Sequence, residues 1–220
     1  MEYSAFEVLG PLMVGPSSSH TAGACKIAKV AKNICGKDFK SVDFILHGSF
    51  AETYKGHGTD KALLGGILGF QTDDQRIKDA FTFADEKGIK YTFSTADLGD
   101  EYHPNTVKII FSYEDRTEYV IGSSIGGGNI MIVNINGMAI EFRGLYPTIL
   151  LQYEDKSGVI AYVSSVLSGN GYSIESMNTE KNTLTDIVTL TTEVDRELSP
   201  CVRDAILGAE MFIAAKYVEV

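Results

Sequence analysis

The sequence predicts an α+β protein in two parts. An N-terminal mixed α/β domain with an antiparallel sheet is expected over 1–146, and a C-terminal βαββαβ unit of ferredoxin-like order over 147–220. Three observations predict it. Strand-like runs near 89–94, 106–113, 117–123, 129–135 and 138–142 follow one another with few residues between, which favours antiparallel pairing. Apolar stripes of helical period precede them. After a change of texture at Gly144 to Pro147, strand and helix signals alternate to the end of the chain.

Within the first part, Pro16 and the serines precede a helix. Its stripe is Ala24, Ile27, Ala28, Ala31, Ile34 and Cys35, and Gly36 stops it as a C-cap. Val42, Phe44 and Leu46 alternate with Asp43, Ile45 and His47, which reads as a strand ending at Gly48. Residues 59–69 read as a second helix capped by Thr59 or Asp60, its glycines implying close packing. Ile77, Ala80, Phe81 and Ala84 mark a third helix, stopped at Gly88. In the second part, Thr148 to Tyr153 is a strand and Val159 to Leu167 a helix. Ile174 to Glu180 and Asp186 to Val194 are strands, and Ser199 with Pro200 opens the second helix. Phe212 to Val220 closes as a strand.

The bulk properties bound the function. A net charge of −10 argues against a nucleic-acid or anionic-membrane surface. The start, M-E-Y-S-A-F-E, lacks the basic flank and apolar run of a signal peptide, and no stretch approaches the ~20 apolar residues of a membrane span. A cytoplasmic location is expected. Cys25, Cys35 and Cys201 are odd in number and widely spaced, and no C-x-x-C pair is present. Metal chemistry therefore needs other ligands or another chain.

Four histidines are candidates for proton transfer, since imidazole titrates near working pH. His20 follows Ser17, Ser18 and Ser19 at a helix start, where hydroxyls and free N–H groups favour a carboxylate or phosphate. A plain Ser/Thr N-cap with a surface histidine explains the same local pattern. His57 lies in K-G-H-G-T-D, where flanking glycines let a ligand approach; an ordinary turn explains that pattern too. His47 reads as a structural strand residue. His103 and Asn105, in E-Y-H-P-N-T, are adequately explained by turn chemistry. The run Ser123 to Asn129 has no G-x-x-x-x-G-K-S/T pattern and no helix after it, so it reads as a tight loop between strands, able to line a pocket.

Taken together, G-P-S-S-S-H-T at 15–21, G-S-x-A-x-T-x-K-G-H-G-T-D at 48–60, H-P-N-T at 103–106 and S-x-G-G-G-N at 124–129 resemble one family. It is the iron–sulfur-dependent L-serine dehydratases, specifically the beta chain of the two-chain form, and the likeness extends over essentially the whole length. The C-terminal part resembles an ACT domain through Asp155-x-x-Gly158 and Asn170-Gly171-Tyr172-Ser173-Ile174, with Ser157 where many such domains carry proline. The first domain resembles an allosteric substrate-binding domain, related to an intervening domain of some phosphoglycerate dehydrogenases.

The resemblance implies conversion of L-serine to pyruvate and ammonia. A 4Fe–4S cluster would act as Lewis acid on the serine hydroxyl while a base takes the α-proton. It gives the base role to His57 and makes His20 a second active-site histidine. Ser17, Ser18, Ser19, Thr21 and Asn105 become substrate-binding residues. The cluster cysteines of the family belong to the alpha part, so this chain is expected to be inactive alone and to complete an active site with a cluster-bearing alpha subunit. A homodimer through the ACT domain is a further expected contact. An amino-acid-binding regulatory subunit is the alternative, and it would tolerate loss of His20 and His57. A pyridoxal-phosphate dehydratase fits less well, because no S-x-K tripeptide accompanies any lysine.

Overall fold

The computed structural model describes residues 11–219. The acidic start and Val220, the expected end of the last strand, lie outside the described residues. The chain forms two compact units divided between Asn136 and Gly137.

In the first unit, helix α1 runs over Ala24–Cys35 and buries the whole expected stripe. Gly36, at φ 94°, ends it where a residue with a side chain would be strained. The turn before it is not the simple capped start that the serines suggest. Ser18–Gly23 is π-helical, a widened turn that recurs at functional sites. The Thr21 hydroxyl and the Thr21 N–H both donate to the Ser17 carbonyl, so a side chain competes with the backbone ladder there.

Strand β1, Ser41–Leu46, buries Val42, Phe44 and Leu46 in strict alternation. His47, expected inside this strand, is instead the residue that leads into an unexpected helix α2, Gly48–His57. Of its residues only Phe50 is buried, so no apolar stripe announces it. His57 thus ends a helix rather than sitting in an open turn. Gly58 takes the left-handed conformation at φ 70° and starts α3, Thr59–Leu68; it is the N-cap in place of Thr59 or Asp60. The glycines of α3 do mark close packing. A Cβ at Gly66 would run into the Cys25 carbonyl oxygen and lie 2.7 Å from Ala28 Cβ. A 3₁₀ turn, Gln75–Asp79, leads into α4, Ala80–Glu86.

Strands β2 (Lys90–Thr95), β3 (Thr106–Ser112), β4 (Thr117–Gly126) and β5 (Asn129–Ile135) complete the sheet of this unit, in the order β2-β1-β3-β4-β5. The β1–β3, β3–β4 and β4–β5 pairs are antiparallel, as expected. The β1–β2 pair is parallel. The reason is the connection, since three helices form a crossover that returns the chain to the end of the sheet where β1 begins, so β2 runs in the same direction. The β4–β5 hairpin closes through Gly127 and Gly128, both at positive φ (60° and 77°), the geometry that two-residue hairpins favour.

The second unit opens with β6, Met138–Phe142. It continues as β7 (Thr148–Glu154), α5 (Val159–Gly169), β8 (Ile174–Asn182), β9 (Ile187–Val194), α6 (Pro200–Leu207) and β10 (Ala214–Val218). From β7 onward this is the expected βαββαβ order, in a sheet arranged β10-β7-β9-β8 with every pair antiparallel. Its core joins Ile149 and Leu151 of β7, Val163 and Leu167 of α5, Leu190 of β9, and Val202 and Ile206 of α6. Ser199 precedes Pro200 as the N-cap of α6. Each fully buried side chain of this kind stabilises the unit by about 1.5–3 kcal/mol.

Candidate functional site

The π-turn and α2 hold the two histidines that the sequence singles out. Ser17 is extended (φ −137°, ψ 122°), and its Oγ accepts from the His20 backbone N–H at 3.2 Å. The same Oγ lies 3.3 Å from His20 Nδ1. On the other side of the ring, Nε2 is 3.1 Å from Ser49 Oγ of α2. Phe50 packs edge-on against the imidazole, centroid to centroid 5.2 Å. His57 approaches at 4.7 Å with its ring tilted by 51°. Helical periodicity explains the supply from α2: Ser49, Thr53 and His57 are spaced by four and lie along one side. The Thr53 hydroxyl reinforces that side by donating to the Ser49 carbonyl at 2.7 Å.

Burial holds the His20 imidazole below its ordinary value of 6.5, and positive charge on His57 pushes the same way. A hydrogen bond to the Ser49 backbone works against both. The outcome is a neutral imidazole at neutral pH.

Around the pair, four buried side-chain atoms of the first unit have no hydrogen-bond partner among the described residues: His57 Nδ1, Thr59 Oγ1, Asn105 Oδ1 and Ser124 Oγ. Leaving such an atom unpaired costs about 1–3 kcal/mol, so native proteins seldom do it without a use. The four are not scattered. α2, α3 and β4 all pack against the π-turn. Ser124 lies directly under it, since a Cβ at Gly23 would meet Ser124 Cβ at 2.7 Å. Asn105 is tied in through its carbonyl, which accepts from Ser124 N–H at 2.9 Å.

Of the residues expected to face substrate, Ser17, His20 and His57 come together, and Asn105 turns its side-chain oxygen inward. Ser18 and Ser19 are half-buried in the π-turn. Thr21 is 3% exposed, and its hydroxyl is engaged by the Ser17 carbonyl. Sequence reasoning missed Ser49, Thr59 and Ser124. All three stand inside the motifs at 48–60 and 124–129, but nothing in their spacing separates them from ordinary turn serines and threonines. His47 and His103 make local bonds: their Nδ1 atoms accept from Leu98 N–H and Asn105 N–H, each at 3.1 Å.

An iron–sulfur cluster requires thiolates converging on one point, and the thiols of this chain do not fit it. Cys25 is buried, its Sγ 3.6 Å from the Phe70 carbonyl, and burial pushes its thiol up to about 12. Cys35 is buried too, and Cys201 is exposed on α6 of the second unit. Among the described residues, no group of three or more His, Cys, Asp or Glu side chains could hold a metal ion.

Comparison with known proteins agrees with the motifs. Residues 4–96 match the family described as serine dehydratase beta chain. The L-serine dehydratase, beta chain, of Peptoniphilus asaccharolyticus is 64% identical over 220 residues, 100% of this chain and 99% of that protein. The probable L-serine dehydratase, beta chain, of Bacillus subtilis (strain 168) is 42% identical over 207 residues, 94% of each chain. The L-serine dehydratase of Streptomyces coelicolor is 34% identical over 121 residues, 52% of this chain and 24% of that protein.

Proposed function

The chain belongs to the serine dehydratase beta-chain family, and on that premise we propose that it is one subunit of an L-serine dehydratase, which converts L-serine to pyruvate and ammonia. The observation that supports a catalytic rather than a regulatory subunit is the His20–His57 pair, 4.7 Å apart, with His57 Nδ1 buried and unpaired. A ring nitrogen not engaged by the protein is what a general base needs in order to exchange a proton with substrate. His57 takes the α-proton of serine. His20, neutral beside it, leaves room for the positive charge that His57 acquires. Ser18 and Ser19 form the carboxylate side of the site, with the Ser17 and Thr21 hydroxyls engaged by His20 and the Ser17 carbonyl in shaping the turn that holds them, and Asn105 Oδ1 accepts from the substrate ammonium.

The 4Fe–4S cluster belongs to a partner alpha chain in this reading, because the thiols of this chain are buried or far apart in sequence. The partner would complete the site, and this chain alone would be inactive. That the likeness to this chain fills only part of a longer L-serine dehydratase supports such a division of labour. We further read the second unit as an ACT domain whose exposed edge strand β8 suits pairing between two copies. No helix of the described residues is long and apolar enough to cross a membrane, and we read the enzyme as cytoplasmic.

The test is anaerobic co-expression with a cluster-bearing partner chain, followed by assay of pyruvate from L-serine. Turnover that His57→Ala abolishes is expected. A cluster-loaded complex without turnover overturns the reading.

A further inference from the structure

Nothing in the reaction itself requires Ser49, yet it makes one of the two polar contacts of the His20 ring. Ser17 Oγ stands 3.3 Å from Nδ1 and Ser49 Oγ 3.1 Å from Nε2, so both ring nitrogens are held by serine hydroxyls from different elements. Phe50 closes a third side. Such an imidazole cannot rotate, and the single proton of its neutral form must sit on one particular nitrogen.

Donor counting decides which. Ser17 Oγ already accepts from the His20 backbone N–H. A hydroxyl has one hydrogen to give. If Nδ1 carried the proton, both lone pairs of Ser17 Oγ would be filled by the same residue and its own hydrogen would have no partner among the described residues. With Nδ1 as acceptor, the Ser17 hydrogen goes to Nδ1, and the ring proton stands on Nε2 and donates to Ser49 Oγ. Ser49 is then the acceptor that fixes the tautomer.

Resting on the dehydratase reading above for its functional meaning, we infer that Ser49 is a positioning residue. It accepts the Nε2 proton of His20 and thereby holds that ring in one tautomer and one orientation against His57. His57 keeps one ring nitrogen, Nδ1, without a partner, while both ring nitrogens of His20 are engaged.

Two measurements test this. Long-range ¹H–¹⁵N correlation on the purified chain, labelled at histidine, reads the tautomer without any partner or activity. The expected result is Nε2–H for His20 in the wild type, a mixed-tautomer signal in Ser49→Ala, and restoration in Ser49→Thr, which keeps the hydroxyl. An Nδ1–H signal in the wild type overturns the inference whether or not the variants fold, and so does a Ser49→Ala spectrum with the His20 tautomer unchanged. In the assembled enzyme, Ser49→Ala should lower kcat about tenfold and displace the pH profile, with KM within about twofold, on the scale of losing a group that orients a working imidazole. Loss of all L-serine turnover in the wild-type complex would strike the dehydratase reading, while the spectra on the chain would still decide the role of Ser49.

Discussion

His20 and His57 lie 4.7 Å apart, ring to ring, at a tilt of 51°, although one belongs to a π-turn and the other to the far end of a helix. Positive charge on His57 disfavours the charged form of His20, as burial of the ring already does.

Removing His57, the proposed base, should be the most damaging change. His57→Ala in the assembled enzyme is expected to lower kcat by about 10²–10⁴-fold, with the fold unchanged by circular dichroism. Near-normal pyruvate formation would exclude His57 as the base.

His20 predicts a pH effect with a definite sign. Its folded pKa is lowered by burial and by His57, so the unfolded chain binds the proton more readily. Its contribution to stability is fully present above about 6.5, the unfolded value, and is lost as pH falls through the lowered folded value. Urea unfolding of wild type and His20→Gln, compared between about pH 5 and pH 7, should show a steeper loss toward acid in the wild type. An NMR titration of His20 should have its midpoint below 6.5.

Gly23 should tolerate no side chain. Its backbone is ordinary helix, φ −60°, so alanine is allowed by conformation. The obstacle is Ser124, 0% exposed, whose Cβ would lie 2.7 Å from the new methyl. Gly23→Ala is expected to destabilise by about 1–3 kcal/mol, more than offsetting the gain of about 1 kcal/mol in helix propensity. An unchanged urea midpoint would show that the π-turn and β4 are less tightly apposed.

The cysteines supply a test of the proposal that an iron–sulfur cluster is held by a partner chain. Cys201→Ser and Cys35→Ala, alone or combined, should leave the iron and sulfide content of the two-chain complex unchanged. Loss of iron from either variant would place a ligand on this chain.

In the second unit, Leu151 is 0% exposed at the centre of β7. Leu151→Ala should cost about 2–5 kcal/mol, read by thermal or denaturant unfolding of the whole chain.

Much of this was legible beforehand, for local reasons. The stripe of α1, the alternation of β1 and the βαββαβ run are patterns of period 3.6 or 2, and burial enforces them wherever they occur. Helix α2 was not legible, because it buries only Phe50 and shows no stripe. Missing α2 hid two consequences: the parallel β1–β2 pair that its crossover produces, and the helical setting of His57. The π-turn was hidden for another reason, since a Ser-rich start reads as an N-cap whichever helical ladder follows.

By itself the sequence determined the class of the fold, the βαββαβ order of its second part and the loop G-P-S-S-S-H-T with its histidine, because these depend on neighbouring residues and their spacing. Only the tertiary structure decided what His20 touches. Ser49 is 29 residues away, and no local pattern joins a serine in one helix to an imidazole in the turn of another. That contact, the approach of His57 and the burial of Ser124 beneath Gly23 follow from α2 and β4 packing on the π-turn. Packing is a property of the folded chain as a whole, and it converts a capped helix with a histidine into a site.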